Sequence, residues 1–310
     1  MKGRKVPMKI EPEIVSFNSD GNTLEALFYQ PATPGPHPLI IMAGGWCYVK
    51  ELAQPRFAQT FASHGLASLI FDYRNFGGST GEPRQHSDPW EQIRDYRNAI
   101  TYAESVTSID SDRIGAWGIS YSGGHVMVVG ALDSRVKAVC GVVPVIDGYE
   151  NMRLAHGTLG LRRLQSALLE ARRSRAQTGE LSYIEHQPLN EGDLATWPFP
   201  KSKQVFAQLK SEQAPSYEGH TTMESVENLL AYTIKPYLPR LLGKPVMMVV
   251  AEGDDHTHWD LAANAFDAIP GQKKTFSIVT ASNHLTLYAD QQQQARTAGE
   301  IALFFVDNLG

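Results

Sequence analysis

Cysteine is scarce in this chain: of 310 residues only Cys47 and Cys140 carry thiols. They could pair only if the fold brought them together, and nothing in their spacing says that it does. Two reduced, buried thiols in a cytoplasmic protein are the expectation. Long apolar runs are also missing. No stretch approaches the roughly 18 apolar residues a membrane span needs. The basic start, residues 1–10, has no apolar segment behind it, so no secretory signal reads there. An excess of positive charge is lacking too. The net charge is −5 and the pI is near 6.1, against the basic balance of a nucleic-acid binder. No internal repeat is visible, and the glutamine run at 291–294 sits in a helical stretch. A soluble, intracellular globular chain, without nucleic-acid or membrane partners, is the expectation.

What is present alternates between strand and helix. Apolar residues make up 42% of the chain, enough for a substantial core. Residues 13–18 and 23–30 read as strands joined by Asp20-Gly21-Asn22, a tight hairpin signal. Short apolar runs at 39–42, 67–71, 113–118, 136–145, 246–250 and 275–279 read as buried strands. Helical patterns fall at 57–64, 90–105, 124–132, 261–268 and 291–308. In the second of these, Ile93, Tyr96, Ile100 and Ala103 share one face. This alternation predicts a mostly parallel sheet with helices on both faces.

The pattern breaks between 148 and 238, where no buried strand reads. Leu161, Leu164 and Leu168 keep helical spacing, 205–209 and 223–232 look helical, and Pro188, Pro198, Pro200 and Pro215 divide the region. The chain therefore reads as one core in two parts, 1–147 and 239–310, with a helical cap inserted at 148–238. Two separate domains are the alternative, but the last strands would then lack a sheet of their own.

The chemistry centres on Gly118-Ile119-Ser120-Tyr121-Ser122, where a strand ends, a serine follows at once and a glycine-led helix begins. This is the pattern of a nucleophile elbow, whose tight turn requires small residues two places either side of the serine. A rival frame makes Ser122 the nucleophile, but the strand then ends two residues late. A hydroxyl nucleophile needs a base, and the base an orienting carboxylate. The strand at 246–250 is followed by Glu252-Gly253-Asp254-Asp255, which offers Asp254 as the acid, with Asp255 the runner-up. His284 follows one more strand and is the only histidine after the acid's loop. Oxyanion donors are expected from the Tyr121 amide and from the loop Ala43-Gly44-Gly45-Trp46-Cys47, through either Gly45 or Trp46.

Other chemistry-bearing residues read less sharply. Asp254, Asp255, His256 and His258 resemble a metal cluster, but the triad needs the same loop, so no metal is expected. His125 reads as a packed or capping residue, and a Cys47 nucleophile would lack the elbow. Arg162, Arg163, Arg172, Arg173 and Arg175 read as a solvated helix face, with an acidic carrier protein or anionic substrate as the alternative. Homodimer formation stays open.

The elbow, late acid and final histidine together resemble the α/β-hydrolase superfamily over nearly the whole chain. More narrowly, Gly44-Gly45-Trp46, Val49-Lys50-Glu51, Phe71-Asp72-Tyr73-Arg74 and Gly78-Ser79-Thr80-Gly81 look like the branch of dienelactone-hydrolase-like and X-prolyl-peptidase-like enzymes and polyketide transferases. Two departures stand out: Ala43 replaces a histidine common among relatives, and Ser122 replaces the second elbow glycine. The resemblance implies an α/β-hydrolase fold with an eight-stranded sheet, and acyl cleavage or transfer without a cofactor. The expected activity is that of a serine esterase or thioesterase on a small acyl substrate. Acyl or polyketide transfer, C–C hydrolysis, and a non-catalytic binding protein on the same fold are the alternatives, because one such scaffold hosts many chemistries.

Overall fold

In the computed structural model, which describes residues 10–310, the hairpin opens the fold. Strands β1 (Glu13–Ser19) and β2 (Asn22–Tyr29) pair antiparallel across the Asp20-Gly21 turn, with Asp20 at φ 50° and Gly21 at φ 89°. Then follow β3 (His37–Ala43), α1 (Gln54–Ser63), β4 (Ala67–Phe71), α2 (Pro89–Ala103), β5 (Ile109–Ile119), α3 (Tyr121–Leu132) and β6 (Val136–Val142). After the inserted segment come β9 (Val246–Ala251), α7 (Trp259–Ala268), β10 (Lys274–Val279), α8 (Thr286–Ala289) and α9 (Gln291–Leu309). The sheet has eight strands in the order β1-β2-β4-β3-β5-β6-β9-β10, parallel from β4 to β10. This is the mostly parallel sheet expected from the alternation, in the α/β-hydrolase fold that the resemblance implies. The basic segment before Ile10 lies outside the described residues. Among the described residues no helix is long and apolar enough to cross a membrane.

Both faces of the sheet are covered, which is why its central strands read as continuous apolar runs. Successive residues of β3 go to opposite cores. Leu39 and Ile41 join Ile93 of α2 and Val126 of α3. Ile40 and Met42 join Phe57 of α1 and Ile301 of α9.

The segment between β6 and β9 holds α4 (Gly148–Thr178), β7 (Tyr183–Glu185), α5 (Pro200–Glu212), β8 (His220–Thr222), α6 (Met223–Ala231) and a 3-10 turn (Lys235–Leu241). The two-stranded ribbon of β7 and β8 departs from the all-helical expectation. Its strands are three residues each, too short for a periodicity signal. Helix α4 is kinked where Gly157 takes φ 63°, ψ 175°, a conformation open to glycine. Its Leu161, Leu164 and Leu168 are buried, and its main helical partner in the insertion is α6.

Candidate active site

The elbow is built by close backbone approach. Strand β5 ends at Ile119, α3 begins at Tyr121, and Ser120 between them has φ 59°, ψ −114°. That conformation costs on the order of 1–3 kcal/mol for a non-glycine residue. Surrounding bonds hold it: the Ser120 N–H donates to Val142 O (2.8 Å), and Ser120 O accepts from Val145 N–H (3.0 Å) and Gly124 N–H (3.3 Å). A Cβ on Gly118 would lie 2.2 Å from the Ser122 carbonyl oxygen, so only glycine fits there. Because the turn is this tight, α3 starts at Tyr121 rather than near Gly124, and its positive end faces Ser120. Ser122 is fully buried beneath the turn. Its hydroxyl donates to Ala43 O (2.7 Å) and accepts from Ile119 N–H (3.1 Å), so it ties the elbow to β3.

Asp254 follows β9 and His284 follows β10, neighbours in parallel register, which brings the two loops together. Asp254 Oδ2 accepts from His284 Nδ1 at 2.9 Å and from the Thr257 hydroxyl at 2.9 Å. Oδ1 accepts from the His256 and Thr257 amides, both at 2.8 Å. Burial opposes ionisation of Asp254, but the His284 ring and these donors overcome it and hold the carboxyl below its usual range. Asp255 is exposed and makes no such contact with His284. Both Ser120 (3% exposed) and His284 (2%) are enclosed. No hydrogen bond joins Ser120 to His284 in this closed arrangement; the Tyr288 hydroxyl lies beside Ser120 instead. Catalytic contacts commonly tighten only around substrate.

The amides of Gly45, Trp46 and Tyr121 have no hydrogen-bond partner among the described residues, and Tyr121 follows Ser120 directly. A Cβ on Gly45 would come within 2.9 Å of Ser120 Cβ, so glycine lets this loop reach the serine. The loop is stiffened from behind by the motif residues that carried the narrower resemblance. Lys50 Nζ pairs with Asp72 (2.8 Å), Glu25 (2.7 Å) and Glu51 (2.9 Å). The Lys50 and Gly78 amides also donate to Asp72 (2.6 and 2.9 Å). Arg74 pairs with buried Asp95 at 2.6 Å. These residues are structural; none reaches Ser120.

Aromatic rings from core and insertion surround the serine. Tyr48 contacts Phe206, Tyr217 and Tyr288 with ring centroids 5.0, 5.9 and 5.4 Å away. Tyr217 packs on His186, His186 on Trp46, and Trp46 on Tyr121 at 5.2 Å. Trp259 does not join them: it is 43% exposed at the start of α7. His256, partly buried, stacks on His284 at 4.8 Å and 13°. Its Nε2 meets the Ser202 hydroxyl of α5 at 3.0 Å, and its carbonyl accepts from Asn151 of α4. Burial pushes its imidazole down to about 3, so it is neutral. Tyr288 was not foreseen and His256 was weighed only as a metal ligand, though each is within four residues of a candidate triad residue. A cavity of about 530 Å³ opens beside His284, not over Ser120, with Phe199, Ser202, His256, Asn283 and Leu285 on its walls.

The remaining candidates lie elsewhere. His125 is fully buried between the Tyr232 hydroxyl (2.8 Å) and Gln92 (2.9 Å). Both cysteines are free and buried, and burial pushes the Cys47 thiol up. Arg172 and Arg175 are paired with Glu227 and Glu224.

Residues 20–286 match the family model described as X-Pro dipeptidyl-peptidase, S15 family. A thiohydrolase, aneE, from Aspergillus aculeatus is 29% identical over 86% of this chain and 84% of its own. An acyltransferase, drtE, from Aspergillus calidoustus is 30% identical over 92% and 91%. The crystal structure of the α/β-hydrolase GrgF from Penicillium sp. sh18 superimposes with a TM-score of 0.79 at 23% identity, over 96% of this chain and 98% of that one.

Proposed function

The chain belongs to the X-Pro dipeptidyl-peptidase (S15) family and is a hydrolase of the α/β fold, and we propose that within it Ser120, His284 and Asp254 act as a triad that cleaves an acyl compound through an acyl-enzyme. The observation that carries this is the buried His284–Asp254 pair, 2.9 Å apart, enclosed together with a serine whose backbone is fixed at φ 59°. His284 takes the Ser120 proton as the hydroxyl attacks the carbonyl. The oxyanion that forms is met by the Tyr121 amide and by that of Gly45 or Trp46. His284 then protonates the leaving group. Water, deprotonated by the same imidazole, releases the acid and restores Ser120. Asp254 holds the ring so that Nε2, not Nδ1, faces the serine.

Acyl transfer is the second reading. It is favoured by the 30% identity to an acyltransferase and by the cavity beside His284, which has room for an acceptor other than water. The insertion acts as the cap in either case, since its Phe206, Tyr217 and His186 close the site and must part for substrate to enter. A fluorophosphonate probe tests the nucleophile. Labelling of the native chain, lost in Ser120→Ala, is expected. Labelling retained in that variant, or lost instead in Ser122→Ala with a folded chain, would sink the assignment. A panel of esters, thioesters, amides and β-diketones, run with and without alcohol and amine acceptors, then separates hydrolysis from transfer.

A further inference from the structure

We infer that the acyl part of the substrate carries a neutral oxygen function, a ketone or a hydroxyl, held between the Trp46 indole N–H and the His186 imidazole. This rests on Ser120 being the acyl-accepting nucleophile. Trp46 is 1% exposed and His186 0%, yet Trp46 Nε1 and His186 Nε2 have no hydrogen-bond partner. Buried polar groups are rarely left so, because desolvation without a partner is costly. Their rings lie 6.5 Å apart at 67°.

Place distinguishes this pair from other unpaired atoms. Trp117 Nε1 is also unpaired, but it lies inside the sheet core against Phe57. Trp46 spans the site instead. Its backbone belongs to the loop that Gly45 packs onto Ser120, while its indole lies between Tyr121, next to the serine, and His186 of the insertion. The Trp46 indole therefore links the residue after the serine to the insertion. The Tyr288 hydroxyl, by contrast, has the Ser120 side chain beside it.

The chemistry of these groups selects the ligand. An indole N–H only donates, so its partner is an acceptor. His186 Nδ1 is engaged with the Tyr217 hydroxyl at 2.8 Å, the His220 backbone lies against the same ring, and Nε2, without a hydrogen bond of good geometry, is left to donate or accept according to tautomer. A ketone suits two donors; a hydroxyl suits a donor and an acceptor. A carboxylate or phosphate would find no counter-charge. Lys50 and Arg74, the buried Lys and Arg among the described residues, are each bound by three carboxylates, and burial keeps His186 neutral.

The test uses hexanoyl thioesters of N-acetylcysteamine, plain or with a keto or hydroxyl group at C3 or C5. Wild type should prefer an oxygenated substrate by about tenfold or more in kcat/KM at one of these positions, since the plain chain leaves the buried groups unpaired. Trp46→Phe, which keeps the ring and the backbone amide, should bring that ratio to within about twofold of unity, and His186→Phe should do the same if the first variant does not fold. Plain hexanoyl turned over as well as every oxygenated substrate would overturn the inference, and so would variants that lower both substrates equally, as trapped water at these atoms would predict. Failure of every thioester together with absent fluorophosphonate labelling of Ser120 would instead sink the acyl-hydrolase reading beneath it.

Discussion

Replacing Asp254 by asparagine isolates what the carboxylate does, because half of its contacts survive. The amide oxygen can take over from Oδ1, which accepts the His256 and Thr257 N–H groups at 2.8 Å. The amide nitrogen then faces the two groups that donated to Oδ2, the Thr257 hydroxyl and His284 Nδ1. A hydroxyl can rotate and accept. His284 can accept only by moving its proton to Nε2, and a protonated Nε2 cannot take the proton of Ser120. The expected loss in kcat is about ten-thousandfold, the size seen when a triad imidazole is left in the wrong tautomer. That is about 5.4 kcal/mol of barrier at 1.36 kcal/mol per decade. Stability should fall by only about 1–3 kcal/mol, for one charge-assisted bond and the retained backbone bonds. Asp255→Asn should stay within about twofold, since that side chain is in solvent. Steady-state turnover of an activated ester, with a denaturant midpoint for each variant, reads both quantities. An Asp254→Asn enzyme within tenfold of wild type, or a larger loss at Asp255, would refute the assignment.

Ser120→Ala and His284→Ala should each lower kcat on the order of a millionfold, and the double variant little further, because groups that act as a unit do not multiply; multiplying losses would count against a shared step. Burial pushes the imidazoles of His125 and His186 down to about 3, as it does His256, while an unfolded histidine titrates near 6.5. The unfolded chain therefore binds these protons first, so their contribution is complete above about pH 6.5 and is lost as pH falls toward 3. Asp72, lifted by burial to about 6 against the pull of Lys50, works the other way and offsets part of the slope. His125→Gln should flatten the dependence of urea stability on pH between 6 and 4 by up to about 1.4 kcal/mol per pH unit; an unchanged slope would mean that His125 is charged in the native state. Gly118→Ala drives a Cβ to 2.2 Å from the Ser122 carbonyl and should cost on the order of 4 kcal/mol or prevent folding, whereas Gly299→Ala meets nothing within 4 Å in α9 and should stabilise by about 0.5–1 kcal/mol. Thermal melting compares the two, and equal shifts would dissociate the clash from the elbow.

The elements that sequence reasoning found are those whose signal is local. Leu39 to Met42 reads as a buried strand because both faces of β3 meet apolar cores, and Gly118 marks the elbow because no Cβ fits there. The β7–β8 ribbon escaped because a three-residue strand has too little length to alternate. The residues missed around Ser120 share a different cause. Tyr48, His186, Phe206, Tyr217 and Tyr288 come from five separate stretches, and each reads alone as an ordinary core aromatic. Only the return of the insertion over the carboxyl ends of the strands gives them a common neighbour. The two categories also divide the chemistry. The residues proposed as nucleophile, acid and base are set by chain order along the sheet, which one fold lends to many reactions. What was not legible is the surround that, on the proposed function, would select the acyl group lying against Ser120. Trp46 touches both, since its backbone belongs to the loop that Gly45 packs onto Ser120 and its indole lies between Tyr121 and His186 of the insertion. A change at Trp46 should therefore alter selectivity through the side chain while leaving the backbone donor in place, and that separation makes it the residue at which reaction and recognition can be told apart.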